Sequence, residues 1–191
     1  MSVWRRTAAR CGLASPVVAL LGIATAILRS DGFDPMTQAL SDLGVAAGSA
    51  GLFNGGLVLA GLLGFPFAGL LFYESTNHWR RVGAALLGGA VLSLAGVGVF
   101  PSDTSLHVPA AVGFYGLFTY AMFLYGTGLV VAGASRRGLE LIWLGISHVT
   151  AWLLWGVAGP PGLAIPEAIG AVLLAAWTVS GARRRRRPQH H

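Results

Sequence analysis

Apolar residues gather into six long runs: Gly12 to Leu28, Gly51 to Tyr73, Val82 to Phe100, Val108 to Ala134, Leu139 to Val157 and Ile165 to Gly181. A helix that crosses a bilayer needs about 20 mostly apolar residues. No run carries a charge well inside it. In hydrocarbon every backbone amide must be satisfied internally, which leaves helices or closed barrels. These runs are too long and too continuous for barrel strands. The pattern predicts an all-α integral membrane protein, a six-helix bundle forming one domain over residues 1–182, with a basic tail at 183–191.

The polar punctuation supports those boundaries. Pro109 and Pro166 open helices, where a missing N–H costs nothing. Glu167 then lies in a first turn, favourable for the helix dipole. Gly159-Pro160-Pro161-Gly162 is a turn that no helix continues through. The connection from Arg29 to Ser49 is the most informative. Asp34-Pro35 reads as a helix start and Gly44 as a stop. Between them Met36, Ala39, Leu40 and Leu43 follow one helix face, while Gln38, Ser41 and Asp42 follow another. A short amphipathic helix resting on the membrane surface is expected there.

Charge orients the bundle. All 13 basic residues are arginines. With a cytoplasmic N-terminus, every arginine except Arg29 falls on the inner side. The positive-inside rule therefore places both termini in the cytoplasm of a multi-pass protein of the cell membrane. A hydrophobic fraction of 54% and a charged fraction of 10% exclude an ordinary soluble domain. The arginine run 183–187 directly follows an apolar segment, so it reads as a membrane stop and not as a nucleic-acid site. The first run has a second reading. A positive leader, an apolar stretch and Ala24-Thr25-Ala26 resemble a signal peptide, whose removal would leave five helices. The length of the run and the Arg29 that follows it favour a retained helix.

Candidate chemistry sits at the outer ends of the helices. Asp42 and His107 are the expected acid–base or metal-ligating pair. Ser41, Asn54, Asp103 and Glu167 are expected to line a shared polar pocket, against the plainer reading of caps and solvated turns. His148 lies mid-helix, where a polar group is costly and must find a partner. It is either a ligand contact or a neutral imidazole bonded to a hydroxyl such as Ser93 or Thr119. Cys11, the one cysteine, supports neither an internal disulfide nor a cysteine metal site. His78, His148 and His107 fall at three depths and cannot pair as haem ligands. No phosphate-binding loop, zinc-protease motif or nucleophile elbow is present. Metal and cofactor stay unassigned. Small residues recur in the second and third runs, among them Gly51, Gly55, Gly56, Gly61, Gly64, Gly83, Gly88, Gly89, Gly96 and Gly98. Such stripes let helices approach closely, within one bundle or between copies as a homo-oligomer.

Ser41-Asp42-Leu43-Gly44, Leu52-Phe53-Asn54, and Gly98-Val99-Phe100-Pro101 followed by Asp103 and His107 together resemble the pattern of domain-of-unknown-function 998. Its members are small multi-helix membrane proteins of archaea and bacteria. The resemblance implies the fold and the position of the polar cluster, and no activity. Three functions stay open: binding or modifying a membrane lipid or other amphiphile, transport, and structural assembly. The first needs the polar groups around one cavity, the second a polar path continuing inward, the third an exposed small-residue face.

Overall fold

The computed structural model describes residues 2–186, and His190 and His191 lie outside them. Six helices account for most of the chain: α1 Val3–Arg29, α2 Ala50–Tyr73, α3 His78–Val99, α4 His107–Val131, α5 Ser135–Ala158 and α6 Ala164–Arg186. All six are long and apolar enough to cross a membrane. The shortest, α3 with 22 residues, reaches about 33 Å at 1.5 Å per residue, against a hydrocarbon core of about 30 Å. Among the described residues there is no strand.

Successive helices run antiparallel, and each packs most extensively on its chain neighbours; α6 closes the ring against α1 and touches α5 more lightly. The core is Phe67, Leu70, Leu71, Leu87, Phe118 and Met122 with surrounding alanines. Large apolar side chains also cover the outside, including Leu28, Trp143, Leu153, Leu154 and Val157. In water that surface would be a liability; in lipid it is the matching solvent face. Close approach depends on glycine at a few points. A Cβ on Gly83 would lie 2.5 Å from the Tyr125 backbone nitrogen, and one on Gly126 would lie 2.8 Å from the Gly138 carbonyl. Gly51 and Gly55, by contrast, face open space.

Two elements differ from the sequence expectation. The 29–49 connection is not an amphipathic α-helix from Asp34. It forms a turn at 35–37, an extended Ala39 and a 3-10 turn over Leu40–Gly44. The reason is competition for carbonyls. The Met36 carbonyl accepts from Gly162 N, and the Gln38 carbonyl accepts from both Leu163 N and Ala164 N. The loop spends its backbone acceptors on the α5–α6 connection, so a helical ladder cannot use them. Secondly, α6 continues through Arg186, past the expected end at Gly181. Arginine is a good helix former, and positive charge suits a helix C-terminus.

The charges separate along the bundle. Among the described residues, one end carries Asp31, Asp34, Asp42, Asp103 and Glu167 with the single Arg29; the other carries Glu74, Glu140 and the other described arginines.

Candidate functional site at the acidic end

The acidic end is closed by the 29–49 loop, which is stitched down at three places. Asn54 Nδ2, on α2, donates to the Gly44 carbonyl at 2.8 Å. The backbone bonds to Gly162, Leu163 and Ala164 hold its middle. Glu167 Oε2 accepts from Leu40 N at 2.6 Å. Gly162 admits this docking because a Cβ there would lie 2.6 Å from Gln38 N. Trp155 Nε1 donates to the Gly162 carbonyl at 2.6 Å and fixes the turn from the α5 side.

Beneath the loop lies a narrow cavity of about 60 Å³ between α1, α2, α3, α4 and α6. Its polar lining at this end is Ser41, His107, Tyr115 and Glu167. Its walls are apolar, from Ile23 and Phe53 to Leu94, Phe114 and Leu174. It runs inward to Ser15 and Thr178, and from Glu167 to Thr178 the α6 wall is about 16 Å long. The free space is small: it holds a few water-sized groups, against roughly 300 Å³ or more for a drug-sized ligand.

Hydrogen bonding shows which atoms are available. His107 Nδ1 lies 2.8 Å from the Phe100 carbonyl. A carbonyl only accepts, so Nδ1 carries the proton. In the neutral ring Nε2 is then an acceptor, and no protein group engages it among the described residues. Glu167 uses Oε2 on Leu40, leaving Oε1 free of protein partners among the described residues. The Ser41 hydroxyl is likewise unengaged among them. All three residues are buried, 7 to 9% exposed. Their open atoms keep a little accessible surface, since none is among the fully buried unpartnered atoms, so they can bond a group that enters the cavity. At the inner end the hydroxyls are already spent: Ser15 Oγ donates to the Ala60 carbonyl at 2.8 Å and Thr178 Oγ1 to the Leu174 carbonyl at 2.9 Å.

The other candidates stand apart. Asp42 does not line the cavity; its Oδ2 accepts from Ala39 N at 2.9 Å, capping the 3-10 turn. It sits close enough to Glu167 to repel that carboxylate. The expected Asp42–His107 pair is therefore replaced by His107 and Glu167 on one cavity, because the chain turns Ser41 inward and spends Asp42 on the backbone. Asn54 is a loop tether whose Oδ1 has no partner among the described residues, and Asp103 is exposed. His148 is elsewhere, on α5, with both ring nitrogens occupied: Trp152 Nε1 donates to Nε2 at 3.0 Å and Thr119 Oγ1 is 2.7 Å from Nδ1. Sequence reasoning missed Tyr115, whose hydroxyl donates to the Glu167 carbonyl at 3.3 Å. It lies in a run read only as a span, and nothing local marks it. Among the described residues no three His, Cys, Asp or Glu side chains gather to hold a metal ion.

The fold defines a multi-pass α-helical membrane protein, with a small cavity capped by polar groups beneath the 29–49 loop. The chain belongs to the family described as "Protein of unknown function (DUF998)", which it matches over residues 13–184. Comparison with curated proteins and with solved structures returned no match.

Proposed function

We propose that the protein binds an amphiphile with one slender apolar chain and a headgroup rich in hydrogen-bond donors. The observation that carries this is the free capacity of Ser41 Oγ, His107 Nε2 and Glu167 Oε1 at one end of an apolar slot. Two acceptors and a hydroxyl, one acceptor being the Glu167 carboxylate with Asp42 nearby, favour hydroxyl or ammonium donors over a phosphate or carboxylate. The apolar walls suit a hydrocarbon chain, whose burial contributes about 0.8 kcal/mol per methylene. The arginine distribution supports an orientation with the acidic end outside the cell membrane and both termini inside. The headgroup is then taken from the outer leaflet. Transport is the weaker reading, since the lining between Glu167 and Thr178 offers no continuous polar path.

The test compares two ligands with the same chain. Monohexanoylglycerol carries two hydroxyl donors and methyl hexanoate carries none. Purified protein in detergent is expected to bind the former at least tenfold more tightly, about 1.4 kcal/mol. Glu167→Gln and Ser41→Ala should erase that preference. Equal affinity for the two ligands, or a preference untouched by both variants, would sink the proposal.

A further inference from the structure

At the opposite end of the bundle the helices part around a second, much larger recess of about 1170 Å³. Six arginines line it, Arg5, Arg6, Arg80, Arg137, Arg184 and Arg185, against two glutamates, Glu74 and Glu140. Its floor is apolar and aromatic, with Leu71, Leu141, Leu144 and Trp177. We infer that this recess is a binding site for a phosphate-bearing anion, with arginines as the ligating groups and the apolar floor accepting the group attached to the phosphate.

Three observations carry the inference beyond a generic basic surface. First, the arginines are held in place by the fold. Arg80 and Arg185 approach one phenol, donating to Tyr125 Oη at 3.2 and 3.4 Å. Arg185 Nε is paired with Glu74 Oε2 at 2.6 Å. Secondly, Arg80 Nε is buried without a hydrogen-bond partner among the described residues, on a side chain that lines the recess. A guanidinium with an unsatisfied N–H gains when a small shift of the side chain brings it to an acceptor in the recess. Thirdly, like charges are kept together. Arg184 stands within electrostatic reach of Arg137 and Arg185, whose repulsion exceeds the attraction of Glu140. Glu140 lines the recess but is shared with Arg136 at 3.1 Å. Six arginines against two glutamates leave a positive excess that an anion relieves. Phosphate oxygens accept from guanidinium groups in a bidentate manner, and volume and floor leave room for more than the phosphate itself.

This inference does not rest on the amphiphile site at the acidic end, and its test involves different residues. The full-length chain is reconstituted in nanodiscs of pure phosphatidylcholine and of phosphatidylcholine doped with phosphatidylglycerol, and retained lipid is measured by native mass spectrometry. Inorganic pyrophosphate is titrated as a competitor. Preferential retention of phosphatidylglycerol that pyrophosphate does not displace identifies a lipid headgroup. Displacement, or direct binding of pyrophosphate, identifies the phosphate group as sufficient. Arg137→Gln, at a side chain making no hydrogen bond within the described residues, is expected to weaken binding about tenfold. Arg80→Gln should weaken it by a similar or larger factor. Arg81→Gln, next to Arg80 in the first turn of α3 but outside the recess, should leave binding within about twofold. Equal loss in Arg81→Gln and Arg137→Gln would reduce the recess to ordinary surface attraction and overturn the inference. So would retention of both lipids in equal proportion with no pyrophosphate binding.

Discussion

His148 is only 2% exposed, and its neighbours decide its protonation. Trp152 Nε1 can only donate, so Nε2 must accept. The proton therefore sits on Nδ1 and is given to Thr119 Oγ1, which in turn donates to the Tyr115 carbonyl at 2.7 Å. The relay is complete and the ring is neutral, with no atom left for a ligand. Thr119→Val, near in shape but without the hydroxyl, strands Nδ1–H. It should lower stability by about 1 kcal/mol in detergent unfolding, since hydrogen bonds in membrane proteins are individually modest. His148→Phe combined with Trp152→Phe, which removes the stranded donor and the indole N–H that His148 accepts from, should partly restore the Thr119→Val background. A triple variant less stable than Thr119→Val alone would contradict the relay. The need of His148 for a partner was legible in the sequence, because mid-helix depth alone imposes it. Which hydroxyl answers depends on α4 and α5 rotation, which periodicity does not specify.

At the level of helices, glycines with the same local context have opposite roles. Gly83 lies against the Tyr125 backbone and Gly55 against nothing within 4 Å. Gly83→Ala must force α3 from α4, and overpacking costs about 1–3 kcal/mol. Gly55→Ala removes a flexible residue from a helix interior and should stabilise by up to about 1 kcal/mol. Thermal unfolding of the two variants in the same detergent checks this; equal effects would mean the interface is wrongly drawn. The α-helix expected at 34–44 illustrates the reverse problem. Its capping and spacing signals are genuine, yet Gly162, Leu163 and Ala164 claim the carbonyls at Met36 and Gln38. A loop-to-loop contact across more than a hundred residues overrides a local preference that is weak in so short a segment. Gly162→Val should therefore unseat the 29–49 loop. Its expected signature is faster amide exchange at 36–42 without loss of the bundle.

Across the whole molecule, the asymmetry of charge is the dominant feature. One end holds five carboxylates and Arg29, the other nearly all the arginine. Under the proposed orientation, single-cysteine variants in a Cys11→Ser background report opposite accessibility. Asp103→Cys, at an exposed position on the acidic end, should react with a membrane-impermeant maleimide on intact cells. His78→Cys, exposed at the arginine end, should react only after lysis. The reverse pattern would invert the bundle and move the amphiphile site to the inner leaflet. The two cavities also follow from this polarity. Scarce positive charge at the acidic end leaves acceptors free, and crowded arginines at the other end leave donors free.

By itself the sequence determined the number of spans, their all-α character and the segregation of arginine. These follow from solvent: hydrocarbon demands long, uncharged, internally bonded segments, and the demand is met residue by residue along the chain. It also brought Ser41, His107 and Glu167 to one end of the bundle. Only the tertiary structure decided that these three share a cavity while Asp42 and Asn54 are spent on backbone groups, and that Tyr125 gathers Arg80 and Arg185. The physical reason is directional. Burial depth is a property of position in a span, but a hydrogen bond depends on which face each helix turns to its neighbours. In apolar spans surrounded by lipid, no hydrophobic periodicity records that rotation.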